Sequence, residues 1–153
     1  MSGHLATRSQ SAYPLLRVLG GRAAIASEPA TAGEWAARIH SGLPAASAFA
    51  FKEALDLTNE QLASVLGVSA RTLARLDPGK SRLDLVSGDR LVRSARLFAV
   101  AMDVLEEAEA AARWLKAPQR ALGGAIPLDL AQTDVGARAV EALLGRMEHG
   151  VYT

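Results

Sequence analysis

Leu91, Ala95, Phe98, Met102, Leu105, Ala108, Ala112 and Leu115 recur at steps of four and three, the spacing that keeps one face of an α-helix apolar. The run predicts the longest helix of the chain, opening after Ser87-Gly88 and ended by Pro118, which cannot continue a helix. Shorter amphipathic runs precede it. Thr31 is placed to cap a helix over residues 32–40, with Glu34 in the first turn where the helix dipole favours a carboxylate, and Gly42 and Pro44 close it. Further helices are predicted over 45–55, 58–66 and 69–76, with a turn at Asp77-Pro78-Gly79-Lys80 where glycine supplies a permissive third position. A last helix runs from about Asp134 to Gly145 or beyond, with Val140, Leu143, Leu144 and Met147 on one side and Thr133 or Asp134 as cap. Residues 1 to about 12 are polar and small and are expected to fray, and PLLRVLGG allows one helical turn before its paired glycines. ALGGAIPLDLAQTDVG has no helical period and reads as an ordered connector with short turns.

Composition agrees with the pattern. Half of the residues are apolar, mostly Ala, Leu and Val, aromatics are 5%, and β-branched residues seldom cluster, so an all-α protein is predicted. At 153 residues the chain can bury one sizeable core or two small ones. It has no cysteine, which excludes a disulfide framework, a thiolate metal site and a thiol nucleophile. The N-terminal stretch lacks a leader pattern, and no apolar run approaches the roughly 18 to 20 residues that cross a bilayer, so a soluble cytoplasmic protein without a membrane partner is expected.

The formal charge of +1 is unevenly spread. Residues 71–96 carry seven basic side chains against three acidic ones, whereas from Glu106 onward five basic face seven acidic. A basic middle and a mildly acidic tail imply different partners for the two parts.

The basic middle overlaps a local pattern, LTNEQLASVLGVSARTLARL from Leu57. Thr58 can cap a first helix, with Gln61 three positions on to complete a capping box. Leu62, Val65 and Leu66 give that helix a buried side, Ala63 is small where a second helix must cross, and Gly67 permits the positive φ of a sharp turn. Val68 fills the elbow, Ser69 caps the second helix, and Leu73 and Leu76 anchor it. This is a helix-turn-helix pattern. In such pairs the second helix offers its N-terminal residues to the major groove, here Ser69, Ala70, Arg71, Thr72 and Arg75. Arg71 and Arg75 suit a bidentate contact to guanine or a pair of phosphate contacts, Ala70 suits a thymine methyl, and Lys80 and Arg82 suit phosphates. An αα-hairpin that packs without touching DNA is the competing reading. So few basic residues bind weakly as one module, which argues for a homodimer with half-sites about 34 Å apart.

Downstream, WLKAPQRALGGAIPLDLAQTDVGARAVEALLGRMEHGVY resembles the toxin-binding domain of the Xre/MbcA/ParS antitoxin family. The family's pattern falls on Trp114-Leu115, Pro118, Leu122-Gly123-Gly124, Pro127, Thr133, Gly136, Val140 and Gly150. GLPAASAFAFKEALDLTNEQLASVLGVSARTL is similar to that family's helix-turn-helix portion, so the resemblance covers roughly residues 33 to 151. It implies three parts: a partly flexible N-terminal extension over 1–30, a DNA-binding domain with a long following helix over 31–105, and a toxin-binding domain over 106–153. It also implies an antitoxin that represses its own operon and neutralises a toxin, in this branch a RES-domain enzyme that degrades NAD. One departure stands out. Many relatives carry consecutive basic residues after the second helix of the motif, where this chain has Leu76-Asp77-Pro78.

Physical chemistry gives the second role a surface without the family. Trp114 with Gly123, Gly124 and Pro127 makes a rigid non-helical face, and the stripe from Leu91 to Leu115 exceeds what one small helix needs, leaving apolar area for a dimer seam or a partner. A site that binds a pyrophosphate needs cations, which a carboxylate beside an aromatic can occupy. The tail from Glu148, with Val151, Tyr152 and the α-carboxylate of Thr153, is therefore expected at the mouth of the toxin's NAD site.

Catalysis has little support. His4, His40 and His149 share no ligand spacing, and neither glycine pair forms a phosphate loop after a strand, so no enzyme, metal or cofactor is expected. The alternative is a plain dimeric helix-turn-helix repressor whose C-terminal part binds a small ligand or only itself.

Overall fold

Ten α-helices and one 3-10 turn carry the residues described by the computed structural model, 12–25 and 29–150. They are α1 (Ala12–Val18), α2 (Gly21–Ala24), α3 (Ala32–Ser41), α4 (Ala45–Leu55), α5 (Asn59–Leu66), α6 (Ala70–Ala74), α7 (Leu85–Leu105), α8 (Ala108–Lys116), the 3-10 turn Arg120–Leu122, α9 (Pro127–Leu130) and α10 (Asp134–Glu148). No strand occurs among the described residues, and the fold is all-α. Local chemistry sets most boundaries. Thr31 accepts from Glu34 N, Asp84 from Ser87 N and Thr133 from Gly136 N, each satisfying a first-turn amide that the helix itself leaves unpaired. In the 77–80 turn Gly79 keeps a negative φ, and what holds the turn is Asp77, whose Oδ1 accepts from Gly79 N at 2.9 Å while its carbonyl accepts from Lys80 N at 3.1 Å.

The long apolar stripe resolves into two helices rather than one. Glu106 adopts a left-handed conformation at φ 60°, so α7 stops and α8 folds back onto it. A continuous helix over 85–116 would run about 48 Å, far beyond a core whose radius of gyration is roughly 15 Å for a chain of this length. Reversal lets Ala111, Ala112 and Leu115 pack into the core that α7 already serves.

Helix α7 is the axis of the molecule and lies against α1, α3, α5, α8 and α10. Leu91, Val92, Ala95, Leu97, Phe98, Ala99 and Ala101 are all buried, so it is covered on several sides. Five of the stripe's eight positions are therefore consumed internally, while Met102 and Leu105 are half-buried and Ala108 is exposed. Leu91, Ala95, Phe98, Ala112 and Leu115 offer nothing to a second copy, and the apolar surplus expected for a dimer seam is absent at those positions. Part of the cover comes from the N-terminal side, where α1 has two turns rather than one and buries Leu15, Leu16 and Val18, with Leu19 and Ile25 buried after it.

Candidate functional site

The helix-turn-helix is built from its caps inward. Thr58 Oγ1 accepts from Gln61 N at 3.1 Å while Gln61 Oε1 accepts from Thr58 N at 2.8 Å, a closed capping box at the start of α5. Leu62, Ala63, Val65 and Leu66 are buried, and Gly67 turns the chain at φ 73°. Ser69 Oγ then accepts from Thr72 N at 3.1 Å and donates to Thr72 Oγ1 at 3.0 Å, so both hydroxyls are engaged in starting α6. The second helix is shorter than the 69–76 read from sequence, yet Arg75 keeps right-handed helical backbone at φ −86°, ψ −11°. Leu73 is buried and Leu76 half-buried, which anchors the pair.

Ser69, Ala70, Arg71, Thr72 and Arg75 are exposed, as are Lys80 and Arg82. The side chains of Arg71, Arg75 and Lys80 make no hydrogen bond or ion pair with another described residue, so their charges face outward. The rest of the basic middle differs. Arg82 Nη1 donates to the Gly42 carbonyl at 2.7 Å, Arg90 donates to the Ser64 and Val65 carbonyls at 3.0 Å each, and Arg93 pairs with Asp89 at 2.6 Å. Much of the local positive charge thus ties chain segments together. A count of charges along the sequence cannot separate the two uses, because the accepting carbonyls lie 25 to 40 residues away.

On the C-terminal side Trp114 is half-buried and packs against the core, and its carbonyl accepts from Gln119 Nε2 at 2.9 Å. The following loop closes on itself, with Gln119 N donating to the Ala125 carbonyl at 3.0 Å and Gly124 N to the Gln119 carbonyl at 2.9 Å. Gly123 and Gly124 are exposed at positive φ. Pro127 is fully buried at the first position of α9, so it shapes this surface and cannot itself touch a partner. Glu148 is exposed at the end of α10, and Val151, Tyr152 and Thr153 lie outside the described residues.

Asp103 near the end of α7 was not singled out by the sequence, since a lone carboxylate on a helix carries no signal. Partial burial, and secondarily the Glu148 carboxylate, push its pKa above 3.8. A carboxyl whose folded pKa is raised destabilises the fold as pH rises from the unfolded value through the folded one. Asp103→Asn is therefore expected to raise the melting temperature at pH 7 and to lose that advantage near pH 3, at about which both states bind the proton. Thermal melts at the two pH values check it, and an equal gain at both would remove the electrostatic account.

Fold and site together define an all-α protein in which a helix-turn-helix pair is followed, on a shared core, by a helical C-terminal segment with an exposed glycine loop. A family model described as the antitoxin Xre-like helix-turn-helix domain matches residues 34–96, and one described as the antitoxin Xre/MbcA/ParS C-terminal toxin-binding domain matches residues 100–150. The chain belongs to the Xre/MbcA/ParS-type antitoxin family. It is similar to the antitoxin Xre of Photorhabdus laumondii, 33% identical over 88 residues that make 57% of this chain and 60% of that protein. It is also 34% identical to the antitoxin Xre of Pseudomonas putida over 83 residues, 54% of this chain and 52% of the relative. The alignments thus span little more than half the length of these curated relatives. Among the described residues no helix is long and apolar enough to cross a membrane, and no group of three or more His, Cys, Asp or Glu could hold a metal ion.

Proposed function

We propose that this chain is a cytoplasmic antitoxin that neutralises a cognate NAD-degrading RES-domain toxin by direct binding at or near its active site and represses its own operon through the helix-turn-helix. The observation that carries the reading is consecutive: a segment matched to an antitoxin helix-turn-helix is followed in the same chain by one matched to a toxin-binding domain. The exposed, unpaired Arg71, Arg75 and Lys80 support operator contact, with Ser69, Ala70 and Thr72 beside them and Arg82 joining through its remaining donors. The RES assignment comes from the family resemblance. In this reading the toxin meets Trp114, Gly123, Gly124 and Glu148, and the residues beyond, Val151, Tyr152 and Thr153, reach toward the NAD site. A homodimer supplies the second half-site that a single short helix pair needs. The role is binding, not catalysis.

Co-expression with the protein encoded by the adjacent reading frame tests the whole reading. Relief of growth arrest and co-purification of a complex are expected, and arrest that persists beside this chain would sink it. Deletion of residues 149–153 is expected to abolish neutralisation while leaving operator binding intact. Undiminished neutralisation by the truncated chain would remove the tail from the interface.

A further inference from the structure

Helices α3, α7 and α10 together wall an open groove of about 940 Å³. Ile39, Val92, Leu97 and Ala137 line it as buried apolar residues, and Trp35 and Val100 as half-buried ones. Among the described residues the large apolar side chains left exposed are Leu85 at 48%, Val86 at 64% and Val135 at 79%. All three extend this groove. Leu85 and Val86 stand one helical turn before Asp89 on α7, and Val135 one turn before Arg138 on α10, and Asp89 and Arg138 both line it. From Leu85 to Val100 the face on α7 spans about 22 Å. That is longer than a compact small ligand and suits a second protein surface.

Charge says which surface. The groove carries three cations, Arg93, Arg96 and Arg138, against three anions, Asp89, Asp134 and Glu141. Two pairs close within their own helices, Arg93 with Asp89 at 2.6 Å and Arg138 with Asp134 at 2.9 Å. Arg96 and Glu141 remain, both exposed and neither bonded through its side chain to another described residue. One unpaired charge of each sign in one groove is self-complementary. Two copies apposed across a twofold axis satisfy both, because Arg96 of one protomer meets Glu141 of its partner and the reverse contact repeats by symmetry. The apolar residues exposed in one copy are then covered by the other. Position agrees. Ser87 donates to the Leu66 carbonyl at 3.1 Å and Arg90 stands over Gly67, so the Leu85 and Val86 end of the face adjoins the helix-turn-helix. A twofold axis there sets two DNA-reading pairs side by side, as paired half-sites require.

We propose that the groove between α3, α7 and α10 is the seam of a twofold homodimer, occupied by the same groove of a second copy, with Arg96 of one protomer paired to Glu141 of its partner. The inference rests on the functional reading above, which calls for two copies, and supplies the surface that joins them. The seam uses the outer face of α7, whereas Leu91, Ala95 and Phe98 of the regular stripe stay in the core. An exposed ion pair adds little attraction by itself, so the apolar residues hold the copies together and the two charges fix their register.

Sedimentation velocity of the full chain over a range of concentrations reads the dimer dissociation constant. The same variants are co-expressed with the toxin of the adjacent frame and titrated against a duplex from upstream of their own reading frame. Arg96→Glu or Glu141→Arg sets like charges face to face at two symmetric points and is expected to weaken the dimer roughly tenfold or more. The double variant exchanges the pair and is expected to recover the wild-type constant within about threefold. Val86→Asp, at an exposed position where the monomer fold tolerates it, is expected to weaken the dimer roughly tenfold as well. A wild type that stays monomeric, single variants that dimerise like it, or a double variant that recovers nothing each overturns the seam. Lost co-purification of the toxin in Arg96→Glu with the dimer unchanged assigns the groove to the toxin, and a monomer carrying a small molecule in native mass spectrometry assigns it to a ligand. Either result overturns the proposal. A chain that dimerises as expected but neither binds the duplex nor relieves growth arrest overturns the functional reading and leaves the seam standing.

Discussion

Gly136→Ala is expected to destabilise the protein by about 3 kcal/mol or more, a fall of roughly 10 °C in melting temperature for a chain of this size. Helix propensity alone predicts the opposite sign, since alanine exceeds glycine by about 0.5–1 kcal/mol inside a helix. Packing decides otherwise. A β-carbon on Gly136 would stand 1.9 Å from the Leu130 carbonyl oxygen and 2.7 Å from its carbon, which are backbone atoms of α9 that no rotamer change can move. It would also come within 3.0 Å of Thr133 Oγ1, the atom that caps α10 by accepting from Gly136 N. The added methyl therefore forces α9 from α10 and takes the cap with it. Gly145, in the same helix with nothing within 4 Å of where an added β-carbon would stand, is the internal control. Gly145→Ala is expected to stabilise by about 0.5–1 kcal/mol. Thermal melts of the two variants check both signs, and a neutral Gly136→Ala would show that the α9–α10 turn yields more readily than its geometry implies.

What the sequence made legible, and what it hid, follows from the range of the interactions involved. Thr31, Thr58, Ser69 and Thr133 cap helices through amides three residues away, so each helix start could be read from a short window. Gly67 announced its turn in the same way. Glu106 did not, because a left-handed glutamate carries no glycine signature and the apolar positions on either side of it stay in phase. The uses of Arg82, Arg90 and Arg93 were hidden for the complementary reason, their carbonyl acceptors being distant in sequence. Pro127 shows the limit of a motif. Its place in the family pattern is plain, but only the fold reveals that its ring is buried while Gly123 and Gly124 of the same pattern are exposed.

Loss of Arg71 and Arg75 is expected to abolish operator binding at physiological salt while leaving the fold intact. Both side chains are exposed and neither bonds another described residue, so alanine at either position should change stability by no more than about 0.5 kcal/mol. Their places on the second helix differ, and so do their expected roles. Arg71 is the second residue of α6, in the turn that the proposed reading sets in the major groove, where a fork onto guanine is worth about 1–3 kcal/mol of discrimination. Arg71→Lys should therefore lose most of what Arg71→Ala loses, because an ammonium cannot reproduce the fork. Arg75 follows the last helical residue and is better placed for a phosphate, so Arg75→Ala should weaken specific and non-specific DNA alike and reduce the salt slope by about one. Together the two losses approach a hundredfold or more, since each tenfold step needs only about 1.4 kcal/mol. Titration of a duplex from the upstream region against both single variants, the double variant and Arg71→Lys separates the roles. A double variant that binds like the wild type would make α5 and α6 an ordinary helical hairpin, with the C-terminal segment left as the sole binding surface of the chain.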